Sequence, residues 1–485
     1  MIPRGQVADP LQGLYPRCSG LTVSLRERGL LLWEQAWLGS PLLVRIGLIT
    51  LGLAISTILM VSPGHFRPAG TVLGGSLVAA GTLLWLAITF VAVQGPERFL
   101  CLGLRRFVAG GGLAGLCVLS VFGVWDTAMG VQQMVHHAPY VNDGAVMDLY
   151  AANRLLQDHD PYIKTNIVVA LAAIDAPATT TTPLMDGQFR GARSYPSDQA
   201  VSQAFDYVFT HRPHTIPPEF ESKYSYPAGS FLFILPFAWM GFHDMRFLYL
   251  LALVLAGFWL SKHLPHAVRP LAPLLILANV PLMLLTGGNG QPDPLYGLFL
   301  LLGYAAWRRR WISPLAMGLA IANKQLAWFF VPFYLIVVWR KYGLLEATRR
   351  TAIMAGVFLA FNIPFMIWSP SAFLSGVTSP MADPMFPLGI GLIAAFVPHG
   401  MPVLPKVSFT VLEGLAWLGG IAAFARWRQL SPAAGIVLAA LPLFFAWRSL
   451  FNYFYLIPLL ALGVSLLRNV DAPVADAARE AVTAV

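Results

Sequence analysis

The chain has 485 residues, of which 57% are hydrophobic and only 11% are charged, and its mean hydropathy is +0.64. Because soluble domains carry about 25% charged residues, this composition excludes a soluble globular fold and indicates an integral membrane protein. The formal net charge of +9 comes from basic residues at the ends of apolar segments. That distribution is the positive-inside pattern of membrane proteins, and it disfavours a nucleic-acid partner.

Long apolar runs predict an all-α integral membrane protein. Each approaches the roughly 20 residues that a helix needs to cross hydrocarbon, and together with shorter runs they predict about 11 to 13 membrane segments. The three cysteines have no metal-ligand spacing, so they predict neither a disulfide framework nor a zinc site. The long runs are Pro41 to Pro63, Gly70 to Gln94, Phe107 to Trp125, Met245 to Leu260, Thr351 to Trp368, Ser408 to Ala425 and Leu450 to Leu467.

The charge pattern predicts how the chain is oriented in the membrane. Residues 1–40 form a cytoplasmic N-terminal segment, and residues 41–106 form a two-span extension whose first run acts as an uncleaved anchor. The basic clusters lie on the cytoplasmic side, as does a tail at 469–485. We therefore expect a multi-pass protein of the inner (plasma) membrane with both termini inside.

A polar stretch, residues 126–225, follows the third span and is named the acidic loop. It holds eleven of the 23 acidic residues, and the orientation places it outside the membrane, in the periplasm or beyond. Ala145 to Gln157 is predicted to form a helix, because Val146 and Leu149 begin a partial apolar stripe. Asp160 precedes a proline, which disfavours helix and ends the segment.

The residues after the loop predict two outward turns that each carry a cation. Ile312 to Asn323 and Gln325 to Val338 form two half-length helices that meet at Lys324, while Pro432 to Trp447 and Leu450 to Leu467 form a hairpin that presents Arg448. Burying an ammonium at membrane depth costs at least about 2.5 to 3.5 kcal/mol. Since Lys324 has no acid nearby in sequence, it predicts an anionic partner such as a lipid-linked phosphate.

The other readings of these two turns are simpler. Lys324 would snorkel to the interface, and Arg448 would flank an aromatic belt. Between residues 226 and 306 the apolar segments cannot alternate regularly between the two sides of the membrane, because their number is off by one. We therefore expect Pro227 to Met240, which is short and bounded by proline, to be re-entrant or strongly tilted.

Two further segments predict site residues. Asn142 to Asp148 opens the loop helix, and a carboxylate beside a glycine at this position is placed to act as a base; the alternative is an N-cap or a solvated acid. In Gly287 to Asp293, glycines allow backbone to approach a ligand, which makes Asn289 and Gln291 candidates for substrate binding. The alternative there is a plain interhelical turn.

Short motifs follow one another in a recognisable order from Phe107 to Leu467. They are Tyr150-Ala151-Ala152 with Leu155-Leu156, Asp160-Pro161-Tyr162, Tyr224-Ser225-Tyr226-Pro227, Asn289-Gly290-Gln291, Arg308-Arg309-Arg310, Gly318-Leu319-Ala320 with Lys324 and Pro332, and Arg340-Lys341. In this order they resemble the polyprenyl-phosphate-dependent glycosyltransferases of the GT-C fold, specifically glycosyltransferase family 87 and its uncharacterised relatives. The resemblance implies a GT-C-type bundle at 107–468 with a large outward-facing first core loop of short helices.

The resemblance also implies roles for individual residues. Asp143 becomes the catalytic base and Lys324 lies near the donor phosphate, whereas Asn289 and Gln291 lie near the site. Tyr162 and Tyr226, which belong to its motifs, become candidate substrate-binding residues. Asp143 is about one position from the commonest spacing to Tyr162, and Asp148 stands where an aromatic residue is more usual, so Asp148 is the alternative base.

These observations predict a membrane hexosyltransferase. It would move a mannose-like sugar from a polyprenyl phosphate to a hydroxyl of a lipid or glycan acceptor, with inversion, while Lys324 and Arg448 hold the departing phosphate. With two cations on the phosphate, no cofactor or divalent metal is expected. The rival is a transporter or flippase of lipid-linked intermediates without chemistry, which predicts inverted repeats and polar groups along a path. A third reading is an O-antigen-ligase-like polymerase.

Overall fold

The structure is a computed structural model, and within the part of the chain that it describes the regular secondary structure is helical apart from one pair of two-residue strands and two isolated β-bridges. The predicted cytoplasmic segments lie outside the described residues, except for Ser40. The described residues are 40–61, 71–96, 100–139, 141–212, 215–266, 268–397 and 404–468, without the side chains of 466–468.

Before the acidic loop, the described residues form three long helices: α1 (Pro41–Val61), α2 (Val72–Gln94) and α3 (Leu102–Val135). With 34 residues, α3 is about 51 Å long, whereas the hydrocarbon core of a bilayer is about 30 Å thick. It therefore continues beyond the predicted start of the acidic loop, and the first ten loop residues are its last turns.

The acidic loop folds into short helices, as its sequence predicts. They are α4 (Asp143–Leu156), α5 (Ile167–Ala172) and α6 (Asp198–His211). The prediction of a helix at Ala145 to Gln157 is confirmed, but α4 begins two residues earlier. The reason is that Asn142 is the N-cap, and its side-chain oxygen accepts a hydrogen bond from the backbone N–H of Ala145 at 2.9 Å.

The remaining helices are shorter on average than those before the loop. One of them lies within Pro227 to Met240, the segment predicted to be re-entrant or strongly tilted. That helix, α7, has 11 residues with Pro236 inside it, which is too few to cross hydrocarbon alone. The full set is α7 (Gly229–Trp239), α8 (Arg246–His263), α9 (Leu271–Leu277), α10 (Val280–Met283), α11 (Asp293–Ala305), α12 (Ile312–Asn323), α13 (Val331–Tyr342), α14 (Leu344–Trp368), α15 (Pro370–Val377), α16 (Ser379–Ala382), α17 (Lys406–Arg426), α18 (Pro432–Phe444) and α19 (Ile457–Arg468).

The helices have the length and surface of an all-α membrane protein. Among the described residues, α1, α2, α3, α14 and α17 are long and apolar enough to cross a membrane, and α9 with the bent segment after it makes a sixth candidate. Large apolar side chains point outward from these helices; Ile58 is 65% exposed and Phe107 is 76% exposed. Such surface is stable in hydrocarbon and unstable in water. The total of 11 to 13 segments stays a prediction, since the other apolar helices are shorter.

The predicted break at Lys324 is confirmed. α12 ends at Asn323, Lys324 has extended backbone with φ −147° and ψ 138°, and a 3₁₀ turn at Gln325–Phe330 leads into α13. The start of α7 packs against this break, because a Cβ at Gly229 would lie 2.4 Å from the carbonyl oxygen of Ala322. Two half-length helices therefore meet at the lysine.

Arg448 lies in the connection between α18 and α19, as predicted, and that connection is held by a short strand pair. β1 (Leu388–Gly389) runs parallel to β2 (Arg448–Ser449). Helix α2 supports the pair: the Thr82 hydroxyl lies 2.8 Å from the carbonyl oxygen of Ile390, and the buried Trp85 ring stacks on Phe451 at 5.8 Å between centroids. The N-terminal extension is thus packed against the segment that carries Arg448.

Close helix contact between α1 and α3 depends on two glycines. A Cβ at Gly112 would lie 2.2 Å from the Cα of Gly47, so the two backbones approach as closely as small residues allow. A Cβ at Gly111, the preceding residue, would have no heavy atom within 4 Å.

Replacing Gly112 by valine is expected to separate α1 from α3. The added side chain overlaps Gly47, and such overpacking costs about 1–3 kcal/mol of unfolding free energy. The matched variant Gly111→Val adds the same side chain on an open face and is expected to leave stability unchanged. Denaturation of the purified proteins in mixed micelles measures both, and equal midpoints for the two variants would contradict the contact.

Candidate active site

Asp143 is the first residue of α4 and lies at the inner edge of the acidic loop. Its Oδ1 accepts a hydrogen bond from the backbone N–H of Gly144 at 2.8 Å, and its Oδ2 accepts one from the Thr182 hydroxyl at 2.6 Å. Since Asn142 caps the helix, the N-cap reading of Asp143 is wrong. The carboxylate is half-buried, which leaves it both oriented by Thr182 and open on one side.

Glu221 lies beside Asp143, and Thr182 contacts both. The backbone N–H of Glu221 donates to the carbonyl oxygen of Thr182 at 2.9 Å, while the hydroxyl of the same threonine holds Asp143. Burial, together with the negative charge of Asp143, raises the pKa of Glu221 to about 7, although Arg448 acts in the opposite direction. Two neighbouring carboxyls of which one titrates near neutrality are suited to proton transfer.

Asp148 is placed differently from Asp143. It is 1% exposed, and its two oxygens accept hydrogen bonds from the Tyr224 hydroxyl at 2.5 Å and the Ser230 hydroxyl at 2.8 Å. Burial raises its pKa to about 6, against these hydrogen bonds and the charge of Lys324. A substrate would have to displace Tyr224 or Ser230 to reach it, so this geometry favours Asp143 over Asp148 as a base.

The expectation that Lys324 lacks an acidic partner is wrong. Its ammonium forms an ion pair with Asp293, and both residues are buried, Asp293 completely. The partner is distant in sequence but near in space, because Asp293 begins α11 and Lys324 directly follows α12, the helix that packs against α11. Because Asp293 neutralises its charge, Lys324 does not require an external anion.

Asp293 also accepts hydrogen bonds from three neutral side chains. Its Oδ2 accepts hydrogen bonds from Asn452 at 3.0 Å, from the Tyr455 hydroxyl at 3.1 Å and from the Gln291 amide at 3.1 Å. The other end of Gln291 accepts a hydrogen bond from the Asn142 side chain at 2.5 Å. The predicted site residue Gln291 therefore joins the cap of α4 to the buried ion pair.

Asn289 reaches the same region through its backbone. Its carbonyl oxygen accepts a hydrogen bond from the N–H of Val141 at 3.3 Å, just before the cap of α4, and its side chain is half-buried. Asn289 and Gln291 thus both anchor the start of the loop helix.

The two predicted tyrosines occupy different positions. Tyr226 is half-buried, the Lys324 ammonium lies 5.1 Å from its ring centroid, and its hydroxyl faces Gly144 beside Asp143. Tyr162 is 5% exposed and packs its ring on Phe373 at 4.9 Å, while its hydroxyl donates to the carbonyl oxygen of Tyr226 at 2.9 Å. Tyr226 faces the site, whereas Tyr162 supports it from the loop core.

Arg448 is half-buried, and its Nη1 atom is buried without a hydrogen-bond partner in the described part of the chain. Lys406, at the start of α17, lies within electrostatic range of it. Among the described residues, the Lys406 ammonium donates to the carbonyl oxygens of Met381 at 2.6 Å and Asp383 at 2.9 Å, and the Asp383 carboxylate acts on it electrostatically. The Asp383 carboxylate is already paired with Lys223 at 2.5 Å. Arg448 and Lys406 are therefore two neighbouring cations that can receive an anion.

The fold brings most of the predicted residues to one place. Asp143, Glu221 and Arg448 interact electrostatically, and Tyr226 connects Asp143 to Lys324. Asp148 and Tyr162 lie behind this surface in the packed interior of the loop. Apart from these two, the predicted residues form one cluster between the acidic loop and the membrane helices, with a carboxylate half and a cationic half.

Three residues of the cluster are missing from the sequence-based site: Glu221, Asp293 and Lys406. Asp293 was recoverable, because Asp244 and Asp293 are the only acids between Tyr226 and Leu345 and a lysine at membrane depth needs a partner. Glu221 carries no signal that separates it from the other loop acids. Lys406 is distant from Arg448 in sequence, and the electrostatic interaction between the two depends on the tertiary fold.

Comparison with known proteins adds no relative. No protein-family model, no curated protein and no solved structure matches the chain. Within the described residues, no group of three or more histidine, cysteine and acidic side chains is arranged to hold a metal ion. The resemblance to glycosyltransferases therefore rests on the order of the sequence motifs, and the site rests on its own geometry.

Glu221 is expected to make stability depend on pH. Its pKa rises from an ordinary 4.5 to about 7, so the folded state keeps a proton that the unfolded state releases. The resulting stabilisation is full below about pH 4.5 and is lost as pH rises to about 7, by at most about 3 kcal/mol. Glu221→Gln stays neutral, so it should gain stability relative to the wild type across this range.

Thermal unfolding of purified protein between pH 4.5 and 8 measures the effect. The melting temperature of Glu221→Gln minus that of the wild type should increase steadily to about pH 7 and then level off. Asp206→Asn removes an exposed carboxyl of the same loop and serves as the control. A difference that does not change with pH would contradict the raised pKa of Glu221.

Proposed function

We propose that the protein is a membrane glycosyltransferase that moves a hexose, mannose-like, from a polyprenyl phosphate to a hydroxyl of a lipid or glycan acceptor. The observation that carries the proposal is the closeness of an oriented carboxylate, Asp143, to the cations Arg448 and Lys406, neither of which forms an ion pair in the described part of the chain, at the junction of loop and membrane helices. A donor with a lipid tail and a charged phosphate matches a site at this junction.

The reaction needs one base and one stabilised leaving group. The acceptor oxygen forms a bond to the anomeric carbon as the bond from that carbon to the phosphate oxygen breaks. The acceptor proton goes to Asp143, and the polyprenyl phosphate leaves with the bonding electron pair. A single displacement of this kind inverts the anomeric configuration. Glu221, whose pKa is about 7 and on which the charge of Asp143 acts, would take the proton from Asp143 afterwards.

Arg448 and Lys406 would hold the departing phosphate. A planar guanidinium forms paired hydrogen bonds with phosphate oxygens, and an ammonium adds a compact charge. The sequence predicts that Lys324 lies near the same phosphate. Because Asp293 balances its charge, we propose that Lys324 instead positions the ring of Tyr226. No divalent metal enters this mechanism.

The proposed setting is the inner (plasma) membrane, with the acidic loop on the periplasmic or outer side. The positive-inside distribution of arginine and lysine supports this orientation. The donor would enter from the membrane and the acceptor from the side of the loop, with membrane lipids as the surroundings of both.

Replacing Asp143 by asparagine is expected to reduce sugar transfer by at least about 10²–10⁴-fold, because the acceptor loses its base. Donor affinity should not change, since the phosphate contacts remain. Purified protein in nanodiscs, incubated with radiolabelled polyprenyl-phosphate sugars and an acceptor, measures transfer, and equilibrium binding of the same donors measures affinity.

Two other variants complete the experiment. Asp206→Asn, in the same loop, should keep full activity, and Lys406→Gln combined with Arg448→Gln should weaken donor binding. Full turnover by Asp143→Asn would overturn the assignment of the base. If the wild type carries labelled donor across a bilayer without transferring sugar, the protein is a flippase instead.

A further inference from the structure

Glu413 is a carboxyl inside α17, a helix that is long and apolar enough to cross a membrane. The buried residues of this helix are Phe409, Gly420 and Phe424, which stand four residues before Glu413 and seven and eleven residues after it. Residues at these spacings share one face of an α-helix. Glu413 therefore belongs to the face of α17 that packs on the protein, not to the face exposed to lipid.

This carboxyl has no partner within the described part of the chain. It forms neither an ion pair nor a side-chain hydrogen bond there, and it is half-buried, so it stays partly accessible. Ionisable groups at membrane depth are costly, and they are usually paired or face a polar cavity that serves function. Glu413 is thus available to accept hydrogen bonds from a ligand.

Ring contacts hold this part of α17 against two segments of the candidate active site. Phe409, one turn before Glu413, packs against Trp447 with 5.5 Å between ring centroids, and Trp447 directly precedes Arg448. Trp417, one turn after Glu413, donates its indole N–H to a carbonyl oxygen of the 3₁₀ turn that follows α12, at 3.3 Å. Glu413 lies between these two contacts.

Tyr453 connects Glu413 to the catalytic cluster. The charges of Arg448, Glu221, Glu413 and Asp293 all act on its side chain. Among the described residues its hydroxyl has no hydrogen-bond partner, and the residue is half-buried. A free phenol group therefore lies close both to the cation assigned to the phosphate and to the unpaired carboxyl.

We propose that Glu413 and Tyr453 bind the sugar of the polyprenyl-phosphate donor through its hydroxyl groups. The inference rests on the proposed transfer reaction: the sugar is bonded directly to the phosphate, so it lies beside Arg448, where Tyr453 also lies. A carboxylate accepts hydrogen bonds on two oxygens, and a phenol donates one and accepts another. These groups suit a neutral sugar with unsubstituted hydroxyls, whereas a sugar that carries a carboxylate would be repelled by Glu413.

Binding of two lipids tests the proposal: a polyprenyl phosphate that carries a hexose and the same polyprenyl phosphate without sugar. The full chain is placed in nanodiscs, and the Kd of each lipid is measured without acceptor. Glu413→Met combined with Tyr453→Phe should weaken binding of the hexose-bearing lipid about 10- to 100-fold, because hydrogen bonds to a charged group are lost. Affinity for the sugar-free lipid should not fall, since Arg448 and Lys406 remain.

The control is Asp206→Met combined with Tyr207→Phe, which removes the same kinds of group from exposed positions of α6. It should bind both lipids like the wild type. Unchanged affinity of the Glu413 and Tyr453 variant for the hexose-bearing lipid would overturn this inference and leave the proposed function standing. An equal loss for both lipids would overturn it too, because the two residues would then act on the phosphate or the fold. If the wild type binds neither lipid, the proposed function fails together with the inference.

Discussion

The buried ion pair between Lys324 and Asp293 is the interaction on which the candidate site depends. Removing one partner of such a pair leaves an uncompensated charge, so each residue requires the other. Because Asp293 also accepts hydrogen bonds from Gln291, Asn452 and Tyr455, the pair fixes three segments at once. Through Gln291 it reaches Asn142, the cap of α4, and so sets the position of the neighbouring carboxylate.

This arrangement divides the cations into two roles. Lys324 holds neighbouring segments together through its ion pair with Asp293. Arg448 and Lys406 form no ion pair in the described part of the chain, so they are available to an anion. The segment that carries Arg448 is in turn supported by α2, through Thr82 and Trp85. The N-terminal extension, which the motif order does not explain, is therefore part of the framework of the site.

Much of the fold follows from the sequence, but the partners of its charged residues do not. The helix at Ala145 and the break at Lys324 were predictable, because caps, prolines and apolar periodicity are local signals. The pairing of Lys324 with Asp293 and the closeness of Glu221 to Asp143 depend on contacts between distant segments. The sequence also could not separate Asp143 from Asp148, since their difference in burial arises only when Tyr224 and Ser230 pack against α4.

The most direct test of this account is a double-mutant cycle on the unfolding free energy with Asp293→Asn, Lys324→Met and both together. Each single variant is expected to lose about 3–5 kcal/mol, as for other broken buried pairs, and the double variant is expected to recover a large part of this loss. Donor binding by the double variant should persist, since Arg448 and Lys406 are unchanged. Single variants as stable as the wild type, or a double variant that recovers none of the loss, would contradict the mutual dependence of Lys324 and Asp293.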